Sequence, residues 1–247
     1  MIPRFYCPVT EVTLLTQGRV LLPAAQAHHA LKVLRLRVGD ALVLFDGQGG
    51  EYPGCIVEAT RQVVVSLGAW QARESESPLQ VTLAQGLPGG DKMDWVVQKA
   101  VELGVAAIQP LEMKRSVVRL AGERAEKRQA HWQQVAVAAC EQSGRNRLPE
   151  VKAITGLPKY LAAQASNTDA TLRLLLSPHR GQPLSSWPRP TAGVTLLIGP
   201  EGGMDADEET LACTLGFQPV SLGPRVLRTE TAGLAALAAL MALWGDF

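Results

Sequence analysis

Two segments carry residue types that could do chemistry, and they are built alike. The first runs Leu196-Leu197-Ile198-Gly199-Pro200-Glu201-Gly202-Gly203-Met204-Asp205. The second runs Val220-Ser221-Leu222-Gly223-Pro224-Arg225-Val226-Leu227-Arg228-Thr229-Glu230-Thr231-Ala232. In each, an apolar strand enters a Gly-Pro turn and a helix follows. Glycine leaves no Cβ in the way, so a ligand can lie on the backbone. A phosphate cradle is disfavoured in the first loop. It lacks the Lys-Ser/Thr ending of a nucleotide-triphosphate loop, and Glu201 would repel phosphate. A carboxylate there suits a cationic or hydroxyl-bearing ligand. In the second loop Arg225 and Arg228 lie beside a helix start, with Thr229 the expected N-cap. Two cations at that end of the helix dipole repel it unless an anion sits between them. Guanidinium groups suit bidentate recognition of a phosphate or a base edge.

Loops of this kind need a layered scaffold. Strands are expected at Leu79–Gln85, Ala106–Pro110, Thr171–Ser177, Val194–Ile198 and Pro219–Leu222. Helices are expected at Asp91–Leu103, Glu123–Ser143, Leu157–Gln164, Asp207–Leu215 and Glu230–Trp244. This alternation indicates an α/β fold with a mostly parallel sheet, in which ligands bind beyond the carboxyl ends of strands. Asp205 followed by Glu208 reads as a capping box. Glu141-Gln142-Ser143-Gly144-Arg145 closes the long helix, with Gly144 at the C′ position and Arg145 free to face a ligand. Every residue from Ala232 to Leu243 is Ala, Leu, Gly or Met, so that helix must be buried on most sides.

The first 70 or so residues differ. Arg4–Cys7, Val20–Leu22, Ala41–Phe45, Glu51–Ala59 and Gln62–Trp70 read as short strands, with one helix over Ala24–Leu36. Asp46-Gly47-Gln48-Gly49-Gly50 is a hairpin turn. Together these suggest a small β-barrel. The polar stretch 73–78 is the expected boundary between a domain over 1–72 and another over 79–247.

The chain has 247 residues, 47% apolar and 19% charged, which excludes disorder. Twenty-four Lys+Arg against 23 Asp+Glu give a net charge of +1, so only local clusters can mark a polyanion. Two exist. Between 110 and 152 stand nine basic and five acidic residues, and Lys32, Arg35 and Arg37 end the first helix. The four cysteines (7, 55, 140, 213) and four histidines (28, 29, 131, 179) show no ligand spacing, so no metal is expected. No apolar run reaches the length of a membrane span, and the first residues lack a signal-peptide stretch. A cytoplasmic protein follows as the expectation.

Taken jointly, Ile198–Gly203 and Leu222–Ala232 resemble the signature loops of SPOUT-class methyltransferases, and more narrowly those of the RsmE family. Pro3-Arg4-Phe5-Tyr6, His29–Arg35, Lys99–Val105 and Glu141–Arg145 resemble that family too, so the likeness covers nearly the whole chain in order. It implies an α/β fold made of a SPOUT α/β-knot (deep trefoil knot) domain behind an N-terminal PUA-like β-barrel that binds RNA. It implies a homodimer that methylates N3 of a uridine in 16S rRNA, with that rRNA in the small ribosomal subunit. S-adenosylmethionine would be held by Ser177 (with Pro178 nearby), Leu197, Ile198, Gly199, Pro200, Glu201, Gly202, Leu222, Gly223, Arg225, Val226, Leu227, Thr231 and Ala232. Met204-Asp205-Ala206 departs from the family's usual start after Gly-Gly and bears only on the helix start.

Uracil N3 is a neutral imide and must lose its proton to attack a methyl group. Arg225 and Arg228 are candidates for phosphate clamping and for stabilising charge on O2/O4. Glu201 could hold the cofactor or act as base, and Glu230 is a second base candidate. Arg4, Lys32, Arg35, Arg37, Lys114, Arg115 and Arg145 are the candidate RNA contacts. Two alternatives stand beside this reading: a SPOUT enzyme methylating a ribose 2′-hydroxyl, and a non-catalytic RNA-binding ribosome-assembly factor.

Overall fold

The computed structural model describes residues 2–8, 13–14, 18–166, 170–177 and 180–247. Pro178 and His179, named above, lie outside them. The chain divides into two compact units, residues 1–76 with Cys140–Leu148, and Ser77–Ala139 with Pro149–Phe247.

The first unit is a six-stranded sheet. Its strands are β1 (Arg4–Tyr6), β2 (Thr13–Leu14), β3 (Arg19–Leu21), β4 (Ala41–Phe45), β5 (Tyr52–Ala59) and β6 (Val63–Leu67), in the order β1-β4-β5-β6-β3-β2. Only β1–β4 is parallel; the other pairs are antiparallel. Period-two alternation places Leu42 and Leu44, and Val63 and Val65, in one core with Phe5, Val20, Leu22 and Ile56. The turn 46–50 joins β4 to β5, with Gly47, Gly49 and Gly50 all at positive φ. The sequence suggests one α-helix over 24–36, and the structure differs. An α-helical turn, α1 (Ala24–His28), passes into a π-helical turn over His29–Val33, where Leu34 N–H reaches back to His29 O. Local propensity cannot show this wider turn. Gln26 Nε2 donates to Tyr6 O, and the His29 ring packs edge-on to Phe5 at 5.8 Å, so tertiary contacts hold the segment. Arg35, at φ +56°, then turns the chain.

The second unit holds a parallel sheet. Its elements are β7 (Val81–Gly86), α2 (Lys92–Glu102), β8 (Ala107–Glu112), α3 (Glu123–Ser143), β9 (Glu150–Val151), β10 (Thr155–Gly156), α4 (Leu157–Ala165), β11 (Leu172–Leu176), β12 (Gln182–Pro183), β13 (Val194–Ile198), α5 (Ala206–Thr214), β14 (Gln218–Ser221) and α6 (Thr229–Trp244). The final turn of α3 belongs to the first unit. The strand order is β10-β8-β7-β13-β11-β14-β12, with β9 also on β8, and every pair is parallel. Such sheets are covered on both faces, which explains why β13 is buried at all five positions. On one face Leu157, Leu161 and Ala212 from α4 and α5 pack on Ala84, Leu111, Leu175 and Leu197. On the other, α6 comes so close that a Cβ on Gly233 would stand 3.4–3.5 Å from Leu83 and Ile198 side-chain carbons. That close approach is what its small residues permit.

Candidate active site

The carboxyl ends of β11, β13 and β14 open onto one cleft of about 740 Å³, within the size range of small-molecule sites. Both Gly-Pro loops line it.

The first loop leaves β13 at Ile198. Gly203, at φ +70°, closes a turn by donating its N–H to Pro200 O at 2.9 Å. The loop lies on the end of β7, where a Cβ on Gly86 would stand 2.6 Å from Pro200 N. Asp205 caps α5 as expected. It accepts from Asp207 N–H at 3.2 Å, and Glu208 accepts from Asp205 N–H at 3.1 Å. Glu208 also accepts from Lys114 N–H at 2.8 Å.

Glu201 is held rather than free. It accepts from Gly89 N–H at 3.0 Å and from Lys92 Nζ at 2.7 Å. The Lys92 hydrogen bond holds its carboxyl below the ordinary carboxylate value, against an opposing push from burial. A carboxylate so stabilised is a poor proton acceptor, which counts against the base role considered for it.

The second loop leaves β14 and turns at Gly223, at φ +92°. Arg225 and Arg228 both line the cleft, both are exposed, and neither pairs with a carboxylate among the described residues. Thr229 does not cap α6. Arg228 takes the N-cap position, and its carbonyl accepts from Thr231 and Ala232 N–H. The Thr229 hydroxyl instead donates to Gly199 O at 2.5 Å and accepts from Gln85 Nε2 at 2.8 Å. It ties α6, the first loop and β7 together, and that tertiary partner is why the cap moved back one residue. Ser177, at the end of β11, is buried and donates its N–H to Val220 O at 3.0 Å.

Two residues that line the cleft each bury a carboxylate oxygen with no hydrogen-bond partner among the described residues. Glu230 Oε2 and Glu209 Oε1 are buried and unbonded, and Lys92 Nζ lies 3.9 Å from Glu230 Oε1. Buried acceptors without donors are rare. Here they suit a ligand carrying positive charge.

Of the residues named from sequence, Ser177, Ile198, Gly199, Pro200, Glu201, Gly202, Leu222, Gly223, Arg225, Val226, Leu227, Arg228, Glu230 and Ala232 line the cleft. Leu197 is fully buried and packs into the core on the α4–α5 face. Arg115 lines the cleft and donates to Gly202 O at 3.1 Å. Lys114 is neutralised by Asp205 and Asp207, each at 3.0 Å. Lys32, Arg35 and Arg37 are exposed.

Arg145 and Arg4 are corrections. Arg145 is not free for a ligand: its side chain is 6% exposed and meets Glu76 at 2.5 Å. The Arg4 side chain is also 6% exposed, held by Glu51 at 2.6 Å and by Asn146. Burial pushes the Glu51 carboxyl up, but hydrogen bonds from Arg4 and Arg73 bring it below its ordinary value. Both arginines are committed because a buried guanidinium needs a carboxylate.

Lys92, Gly86 and Gly89 were missed. Their signal was present, since Gly86-Leu87-Pro88-Gly89-Gly90 is another strand end running through a Gly/Pro turn into a helix.

Comparison with known proteins assigns the class. A profile described as "RNA methyltransferase domain" matches residues 75–241, and one described as "RNA methyltransferase PUA domain" matches 22–66. The chain is 33% identical to the ribosomal RNA small subunit methyltransferase E of Bacillus subtilis (strain 168), over 96% of this chain and 95% of that one. It is 36% identical to its Synechocystis counterpart, over 92% and 74%. The crystal structure of a ribosomal RNA small subunit methyltransferase E from Neisseria gonorrhoeae bound to S-adenosyl methionine matches with a TM-score of 0.90 and 41% identity, covering 100% of each chain. The fold and site are thus those of an RNA methyltransferase with a PUA domain. Within that class, the chain belongs to the ribosomal RNA small subunit methyltransferase E family.

Among the described residues, no helix is long and apolar enough to cross a membrane, and no group of His, Cys, Asp and Glu is placed to hold a metal.

Proposed function

We propose that the protein transfers a methyl group from S-adenosylmethionine to N3 of a uridine in 16S rRNA of the small ribosomal subunit, acting in the cytoplasm as a homodimer. The observation that carries this reading is the convergence of two glycine-opened loops on one cleft that also holds unpartnered carboxylate oxygens and unpaired guanidinium groups.

The cleft fits the cofactor. Backbone of 198–202 and 222–227 would hold adenine and ribose, beside Ser177 and Ala232. The vacant oxygen of Glu209 matches its ammonium charge. Leu197, in the core, backs the first wall, whereas Thr231 is exposed and outside the cleft lining, so it is not among the cofactor contacts. When bound, S-adenosylmethionine supplies the electrophilic methyl.

The chain's own residues do the rest. Glu230 Oε2, without a partner, accepts the imide proton as N3 attacks. Arg228 and Arg225 stabilise the charge that grows on O2 and O4, and hold the flanking phosphate. Glu201, fixed by Lys92 and Gly89, locks the first loop in place and takes no proton. The target base must be unstacked to enter. Lys32, Arg35 and Arg37, exposed in the first unit, would also contact the RNA.

The homodimer reading is supported by α6. Leu234, Ala235, Ala238 and Ala239 are only half-buried, Leu243 is 45% exposed, and Trp95 on α2 is 53% exposed. A second copy would cover such a face.

The test is to incubate the protein with radiolabelled S-adenosylmethionine and small-subunit ribosomal RNA, digest, and identify the labelled nucleoside. Label in 3-methyluridine supports the proposal. Label in a 2′-O-methylated nucleoside would support the ribose alternative, and no label with no cofactor binding would support the non-catalytic one.

A further inference from the structure

Most cations between 110 and 152 are already paired. Lys114 meets Asp205 and Asp207, Arg115 meets Asp205 at 3.5 Å, and Arg119 meets Glu112 at 2.6 Å. Arg145 and Arg147 meet Glu76 and Glu74. Arg124 and Arg128 meet no carboxylate among the described residues.

These two stand on α3 with Lys127 and His131, at spacings of three, four and seven, which puts all four on one helix face. With Leu120 they line a surface groove of about 250 Å³. Two carboxylates border it. Glu123 holds Lys127 Nζ at 2.8 Å, and Asp94 holds His131 Nε2 at 2.7 Å while its other oxygen accepts from Trp132 Nε1. Both acids are thus occupied, and Arg124 and Arg128 remain as like charges at i,i+4, an arrangement that disfavours itself without an anion.

Arg115 lines the cleft and Leu120 lines the groove, five residue steps apart, so at most about 18 Å of extended chain separates them. Along α3, Arg124 and Arg128 are about 6 Å apart, so each can serve a different phosphate of one strand.

We propose that this groove is a binding site for the phosphodiester backbone of the RNA strand whose base enters the cleft, with Arg124 and Arg128 contacting phosphates. The proposal rests on the RNA-methyltransferase reading above and gives the substrate a second anchor outside the reacting site.

The test is the double variant Arg124→Gln/Arg128→Gln in the full chain, with in vitro transcribed small-subunit ribosomal RNA as the probe. RNA affinity is measured across salt concentrations, the Michaelis constant for RNA is taken from methyl transfer, and cofactor binding is followed by calorimetry. Losing two phosphate contacts should flatten the slope of log affinity against log salt by about 1.4–1.8 and raise the Michaelis constant, while the cofactor dissociation constant holds. A wild-type slope and Michaelis constant in the variant would overturn the groove. The binding slope reads the groove even without turnover, whereas absence of transfer by the wild type would overturn the proposed function instead.

Discussion

The Thr229 hydroxyl stands 2.5 Å from the carbonyl oxygen of Gly199, across 30 residues of sequence. With the Gln85 amide bound to the same hydroxyl, the start of α6 is fixed against the first loop and β7. Replacing Thr229 with Val keeps the shape and leaves the Gly199 carbonyl without this donor. A loss of about 1–3 kcal/mol in unfolding free energy is expected from an unsatisfied buried group, with weaker binding of S-adenosylmethionine. Thr229→Ser should restore both. Denaturant unfolding and calorimetry check this, and full stability in the Val variant would contradict it.

Gly86 tests the contact between β7 and the first loop. A Cβ there would meet Pro200 N at 2.6 Å, and that neighbour is backbone that cannot swing aside. Gly86→Ala should displace the loop at a cost of about 1–3 kcal/mol, typical of overpacking. Cofactor affinity should fall about 10-fold or more, a loss of roughly 1.4 kcal/mol in binding. An unchanged affinity would place the loop elsewhere.

The Lys92–Glu201 pair sets a pH window. The Glu201 carboxyl is lowered from 4.5 by Lys92, so its contribution is present above that value and is lost as pH falls through the folded value. The Lys92 ammonium is raised from 10.5 by the Glu201 hydrogen bond, so its contribution is complete below that value and lost only at higher pH. Stability of the loop should therefore be flat across neutral pH and decline on the acid side. Glu201→Gln should remove that acid decline in the hydrogen exchange of the 199–203 amides. An unaltered acid limb would contradict the assignment.

Arg145 separates structure from RNA contact. Its pair with Glu76 is nearly buried on both sides, at 6% and 14% side-chain exposure. Arg145→Ala leaves Glu76 with the Arg147 N–H but without its cation, and breaking such a pair costs about 3–5 kcal/mol. Thermal unfolding should show a large drop. A variant with full stability and weakened RNA binding would return Arg145 to the RNA surface.

Much of the site was legible because glycine and proline mark strand ends locally. The two loops, the Asp205–Glu208 box and the small-residue helix α6 all follow from neighbours in sequence. Features fixed by distant partners were not legible. Thr229 reads as a cap, but its hydroxyl is claimed by Gly199. Arg145 reads as free, but Glu76 lies 69 residues away. The two-residue strands β9, β10 and β12 are too short to leave a pattern, and the π-helical turn at His29–Val33 depends on contacts with β1. Residues 140–148 join the first unit with no compositional sign of it.

Hydrogen exchange with and without S-adenosylmethionine tests the shared cleft most directly. Amides of 199–203 and of 222–228 should become protected together, at the same cofactor concentration. Protection of only one segment, or of neither, would contradict a single methyl-donor cleft.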